Sequence, residues 1–188
     1  MPDNHTPDQR HRNMAAVHSV NTKPELKLRH ELWKLGFRYL VNDKRLPGKP
    51  DIVLPKYRTV IFIHGCFWHG HNGCKHYTIP QTNAGFWTDK ITCNQQRDQE
   101  VWRLLEAKGW SVIIVWECQL KKAVLEDTLR RVEEEIHHNG QQYQKAKEER
   151  KASRIAYQQE RKEKRLQEET LRKEVKDLQG KKAAKKKD

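Results

Sequence analysis

Between Tyr57 and Cys74 the chain reads Y-R-T-V-I-F-I-H-G-C-F-W-H-G-H-N-G-C, and the side chains in this stretch suit three kinds of chemistry. The first is hard and hydrolytic. Asp51 opens an apolar segment directly after Pro-Gly-Lys-Pro, and about a dozen residues later a neighbouring apolar run ends at Ile63-His64. If the two segments pair as a hairpin, the carboxylate lies beside a strand end and its backbone carbonyl. That offers oxygen ligands to Mg²⁺, a cation that keeps several waters and takes its other ligands from phosphates. His64 and His69 could orient or deprotonate a water, and Glu25 could hold one imidazole in the needed tautomer. The competing reading makes Asp51 a turn cap and the histidines surface residues.

The second chemistry is soft. Cys66-x₄-His71-x₂-Cys74 has compact ligand spacing, and Cys118 follows another apolar strand that could deliver it to the same place. Three thiolates and one imidazole would close a tetrahedral, structural Zn²⁺ site. His76 and Cys93 are rivals for the fourth position, and unligated cysteines in a core are the plainer alternative. The third is aromatic. Phe67-Trp68 and Phe86-Trp87 are adjacent pairs in a basic protein, which suits wedges that stack on or slide between bases. Taken alone, Phe86-Trp87 reads as core at a helix start; beside Phe67-Trp68, insertion is the stronger reading for at least one pair.

The elements that must position these groups follow from periodicity. Thr22-Lys-Pro24-Glu25 is a helix start of the capping-box type, Leu26, Leu28, Leu32, Trp33 and Leu35 supply an apolar face, and Gly36 ends it. Strands are predicted over 37–41, 51–54 and 57–63, the last nearly all apolar and therefore central. A helix over 84–108, a strand over 110–116 and a helix over about 121–138 complete the order α-β-β-β-α-β-α. This is an α/β protein with a mixed central sheet flanked by helices.

Composition frames the rest. The chain has 188 residues with a net charge of +13. Residues 141–188 hold 17 Lys/Arg against 9 Asp/Glu, and the remainder is basic as well. A polyanion such as nucleic acid is the partner this implies. Three segments are expected: a mobile arm over 1–21, a folded domain over 22–140, and a charged, partly helical extension over 141–188. Leu171, Val175 and Leu178 have helical spacing but are too few for a coiled-coil seam. No apolar run is long enough for a membrane span, and the N-terminus lacks the apolar core of a signal peptide, so a cytoplasmic location is expected.

Taken in order, Arg12-Asn-Met14, Thr22-x-Pro24-Glu25, Leu46-Pro-Gly-Lys-Pro-Asp51, Val60-Ile-Phe-Ile-His-Gly-Cys-Phe-Trp-His69, Phe86-Trp-x-x-Lys90-Ile91-x-x-Asn94-x-x-Arg97-Asp98, Gly109-Trp110 and Val115-Trp-Glu-Cys118 resemble the very-short-patch repair (Vsr) endonucleases. These bacterial enzymes nick DNA at T:G mismatches. The resemblance implies a restriction-endonuclease-like core, although Ile61-Phe62-Ile63 lacks the usual E-x-K element. It implies Asp51 and the Ile63 carbonyl as magnesium ligands, His69 as water-activating base, and His64 and Glu25 as supporting active-site residues. It further implies Cys66, His71, Cys74 and Cys118 as zinc ligands, Phe67, Trp68 and Trp87 as intercalating residues, and Lys90 and Arg12 as DNA contacts. The implied partner is duplex DNA with a T:G mismatch arising from 5-methylcytosine deamination. MutL and a repair DNA polymerase are candidate protein partners, the enzyme is expected to act as a monomer, and its use would be at the nucleoid. A restriction-type nuclease on intact DNA and a zinc-stabilised DNA-binding module without catalysis are the alternatives. The extension has no counterpart in this resemblance; its charge predicts added, general DNA affinity.

Overall fold

The computed structural model describes residues 6, 8, 9, 12 and 20–184. Most of the expected arm over 1–21 lies outside the described residues; Arg12 is helical and exposed, its Nε donating to the Asp8 carbonyl at 3.4 Å. The chain divides into two compact units, Met1–Gln141 and Gln142–Asp188.

The first unit is built on a three-stranded sheet in the order β1-β2-β3, with β1 Ile52–Leu54, β2 Thr59–His64 and β3 Ser111–Trp116. β1 and β2 run antiparallel with Ile52 opposite Ile61, while β2 and β3 run parallel with His64 opposite Trp116. Parallel neighbours need a crossover, and helix α2, Ala84–Ala107, lies between β2 and β3 in the chain. Alternation along the strands sorts the core onto two faces. Ile52, Leu54, Ile61, Ile113 and Val115 pack with Leu28 and Leu32 of α1 (Lys23–Lys34) and with Val132 and Ile136. Val53, Val60 and Phe62 face the other way, onto Leu105 and Trp102 of α2. Val60–Ile63 of β2 form an unbroken apolar run because both faces of the strand are covered.

α1 starts as its sequence predicts. The Glu25 carboxylate accepts from the Thr22 hydroxyl at 2.8 Å and from the Thr22 N–H at 3.4 Å, and Pro24 occupies the first turn. The end is equally local, with Gly36 at φ +88°, a left-handed conformation that favours glycine.

Two elements differ from expectation. The strand predicted over 37–41 is reduced to one bridge, Leu40 with Val53, whose two N–H···O bonds are both 2.8 Å. Side chains hold this segment instead: Phe37 is buried in the core, the Tyr39 hydroxyl donates to the Arg29 carbonyl at 2.7 Å, and Asn42 at φ +48° turns the chain away. The helix predicted over 121–138 begins later and does not stop. A 3₁₀ turn, Glu117–Leu120, follows β3, and α3 then runs Leu125–Ala184, straight through Asn139-Gly140. Gly140 reads in sequence as a break, but here it makes room. A Cβ at that position would stand 2.7 Å from the Tyr57 ring.

Candidate functional site

The β1–β2 pairing does what the carboxylate chemistry requires. It sets Asp51 beside the end of β2, where its Oδ2 accepts the Ile63 N–H at 2.7 Å. Burial pushes the Asp51 carboxyl up to about 6; the Ile63 N–H opposes this, Glu25 adds to it, and Arg29 and His69 oppose it. Arg29 is the organiser on this side. Its guanidinium donates to the Glu25 carboxylate at 2.9 Å, to the Asp51 carbonyl at 3.1 Å and to the Asn21 side chain at 2.7 Å.

At the end of β2 the two histidines stack, ring centroids 3.8 Å apart and 14° from coplanar. His64 is buried between His69 and Trp102, with the Trp116 ring edge-on. Burial, and the neighbouring His69, push its pKa down to about 4, against Asp98. His69 Nδ1 lies 2.5 Å from Asp98 Oδ2. A carboxylate there accepts the Nδ1 proton, which leaves the Nε2 lone pair of a neutral ring free to take another.

Glu25 was expected to hold an imidazole, yet its carboxylate is occupied by Thr22, the Asn21 N–H and Arg29. The imidazole's carboxylate is Asp98, contributed by α2. The same helix pins the loop backbone: Asn94 Nδ2 donates to the Trp68 carbonyl at 2.9 Å, and Gln95 Nε2 to the His69 and Gly70 carbonyls at 3.2 Å each. Asn94, Gln95 and Asp98 stand at spacings of one and three residues, on one helix face. Asn94 and Asp98 both stand in the motif Asn94-x-x-Arg97-Asp98 noted in the sequence, which was the available signal.

The soft cluster forms from the expected set. Donor atoms of Cys66, His71, Cys74 and Cys118 all lie within 4.8 Å of one another. His71 Nδ1 is 3.4 Å from Cys66 Sγ and 3.5 Å from Cys118 Sγ, and its ring stacks on Trp116 at 4.1 Å. The 3₁₀ turn after β3 delivers Cys118, and the neighbouring Glu117 accepts the Cys66 N–H at 3.0 Å. The two rivals are elsewhere: His76 Nε2 meets Lys121 Nζ at 2.6 Å, and Cys93 is exposed on α2. Burial pushes the Cys66 thiol up to about 12. Three thiols crowded with an imidazole suit a shared cation that ionises them, and the donor set fits a tetrahedral metal.

The third feature is a cluster of rings. Phe67, Trp68 and Trp87 meet edge-to-face, with centroids 5.1–6.0 Å apart, and Phe86 packs on Trp87 at 5.2 Å. Phe86 is 61% exposed, so the Phe86-Trp87 pair is no core element. Lys90, one turn further along α2, is exposed.

A loop joining stacked histidines, a thiol cluster and half-exposed aromatics has known counterparts. The family model for the DNA mismatch endonuclease Vsr matches residues 2–76. The type II nicking enzyme V.NmeAIP of Neisseria meningitidis is 51% identical over 137 residues, covering 72% of this chain and 97% of that relative. The DNA mismatch endonuclease Vsr of Escherichia coli is 41% identical over 143 residues, covering 74% and 91%. The type II nicking enzyme V.XorIIP of Xanthomonas oryzae is 44% identical over 133 residues, covering 70% and 97%. The chain belongs to the Vsr family.

In this Vsr-family chain the groups divide between two supports. Asp51 directly precedes β1 and Glu25 lies on α1; His69, Phe67 and Trp68 ride on a loop clamped by α2 and by the thiol cluster, while Phe86 and Trp87 belong to α2. No helix among the described residues is long and apolar enough to cross a membrane.

Proposed function

We propose that this chain is a Mg²⁺-dependent DNA endonuclease with a restriction-endonuclease-like core. It nicks one strand 5′ to the thymine of a T:G mismatch, in repair of deaminated 5-methylcytosine. The observation that carries this reading is the Asp98–His69 pair stacked on neutral His64 at the strand end where Asp51 sits. A DNA-binding module would need none of these groups.

Asp51 and the Ile63 carbonyl would hold Mg²⁺, and Cys66, His71, Cys74 and Cys118 would hold Zn²⁺. When bound, magnesium supplies positive charge beside the scissile phosphate, and zinc supplies a rigid tie between the loop and β3. The chain's own residues do the proton work. Asp98 fixes His69 with its proton on Nδ1, so Nε2 faces the attacking water as a base. The water oxygen bonds to phosphorus, its proton passes to Nε2, and the leaving oxygen departs with the electron pair of the broken P–O bond. His64, with its pKa pushed down to about 4, stays uncharged at neutral pH and gives His69 a flat neutral wall. Glu25 adds negative charge near Asp51, which favours a cation there.

Phe67, Trp68 and Trp87 are the wedge that enters the stack, and an already weakened T:G pair opens most cheaply. Lys90 and Arg12 contact phosphates. Residues 22–140 form the endonuclease domain, acting as a monomer in the bacterial cytoplasm, with MutL and a repair polymerase as its downstream partners. The test uses end-labelled duplexes that differ in a single pair, T·G against C·G, with Mg²⁺ present. A single nick on the thymine strand of the T·G duplex supports the reading. Equal cutting of both duplexes would select a restriction-type activity, and no cutting would select the binding module.

A further inference from the structure

The second unit carries charge in an ordered way. α3 continues through it, and residues 147–170 are exposed throughout. At 100° per residue, Lys147, Arg150, Lys151, Arg154, Arg161 and Arg165 fall within one stripe about 100° wide; Glu149, Glu160 and Glu163 fall on the opposite side, and Glu168 and Glu169 close the stripe one turn beyond Arg165. Segregation on this scale has an internal consequence. Lys147, Arg150, Arg154 and Arg161 have no acidic residue three or four positions away, and among the described residues no ion pair engages any of the six cations. The pair that does form in this unit, Lys164 with Glu160 at 2.7 Å, lies off the stripe. A helix stabilised only for itself would interleave its charges to make such pairs.

We infer that this stripe is a second DNA-binding surface, one that follows the phosphates of duplex DNA without reading bases. Six cations over about 27 Å of helix meet a polyanion that carries one charge per ~1.7 Å of axis, so each has a phosphate to contact. The surface does not suit a second copy of the chain. Ile155 and Leu166, 45% and 64% exposed, stand eleven residues apart, where a coiled-coil seam needs an apolar residue every three or four. The match to the meningococcal relative uses 97% of that protein but 72% of this chain, so more than a quarter of this chain has no counterpart in it.

The test compares full-length R154Q/R161Q with K145Q/K164Q. Both lose two positive charges; the first pair lies on the stripe and the second does not. Binding to a fully matched, labelled duplex is followed by fluorescence anisotropy across a salt series. The matched duplex makes the result independent of mismatch-directed nicking. The stripe variant should lower the slope of log K against log salt by about 2, at about 0.9 per phosphate contact, and the control should leave it nearly unchanged. R154K/R161K should keep the wild-type slope. Equal loss in both Gln variants would overturn the proposal in favour of diffuse net charge. A wild-type dimer in sedimentation that R154Q/R161Q dissolves would overturn it in favour of self-association.

Discussion

Asp51→Asn should stabilise the protein in the absence of magnesium while ending its nicking. Asp51 sits partly buried, with one N–H partner and Glu25 nearby, and its carboxyl is raised from the ordinary 3.8 to about 6. A carboxyl raised on folding binds its proton more tightly in the folded state, so ionisation costs stability above the folded pKa and costs nothing below the unfolded one. The full move corresponds to about 3 kcal/mol at neutral pH. Solvent at the exposed part of the group brings this to about 1–3 kcal/mol. Asn keeps an acceptor for the Ile63 N–H and carries no charge. Its gain should be largest above about pH 7, fall to about half by pH 5 and vanish below pH 4. For a folded unit of this size that is about 3–8 °C in Tm. Thermal unfolding by circular dichroism at about pH 7.5 and pH 5, without added magnesium, reads it directly. Adding Mg²⁺ should then raise the Tm of wild type and leave the Asn variant where it was. A variant less stable than wild type at pH 7.5, or a gain that grew as pH fell, would refute the argument that buried negative charge awaits a cation here.

Three further outcomes follow from the geometry. His69→Ala should slow single-turnover nicking about 10²–10⁴-fold, the usual cost of losing a general base, and Asp98→Asn should slow it as well while leaving duplex affinity intact; unchanged rates in either would remove the dyad from the chemistry. Protein purified without chelator should carry one zinc per chain by elemental analysis, and Cys118→Ser should lose both the metal and thermal stability, whereas Cys93→Ser should lose neither. Trp68→Ala should cost about 1–3 kcal/mol of binding on a T·G duplex and much less on a matched one, so equal losses on the two would argue against a wedge.

How far the sequence reveals this arrangement depends on the kind of interaction involved. β2 was legible because covering both faces of a strand leaves an unbroken apolar run, and α1 because its cap and stop are local. The thiol set was legible because few residue types can serve a soft cation, while only the fold could show His76 engaged with Lys121 and Cys93 facing solvent. The segment over 37–41 has a strand's alternation, but a ladder depends on its partner, and β1 is three residues long. Gly140 looked like a stop because nothing in the chain announces that Tyr57 packs against it. Asp98 is the instructive omission. It stands 29 residues from His69, and no spacing rule joins a helix carboxylate to a loop imidazole; Glu25 was the more conspicuous acid, already committed to its own helix end and Arg29.

The placement of Asp98 changes how the site should respond to disturbance. His69 is held from three directions: Asp98 on its ring, Gln95 on its carbonyl, and the Gly65 carbonyl on its N–H at 3.2 Å. Two residues further on, His71 belongs to the thiol cluster, and one residue before, Trp68 belongs to the ring cluster. The proposed base His69, the thiol-cluster residue His71 and the ring-cluster residue Trp68 therefore share one short backbone. Gly70 sits at its centre with φ +64°, where a Cβ would meet Gln95 Nε2 at 2.4 Å and Ile91 at 2.9 Å. If Phe67 and Trp68 enter DNA as proposed, their motion reaches His69 through at most two peptide units. A loop built this way aligns its base most readily when its aromatics are seated. Mismatch binding and proton transfer would be coupled by covalent geometry, with no separate switch required.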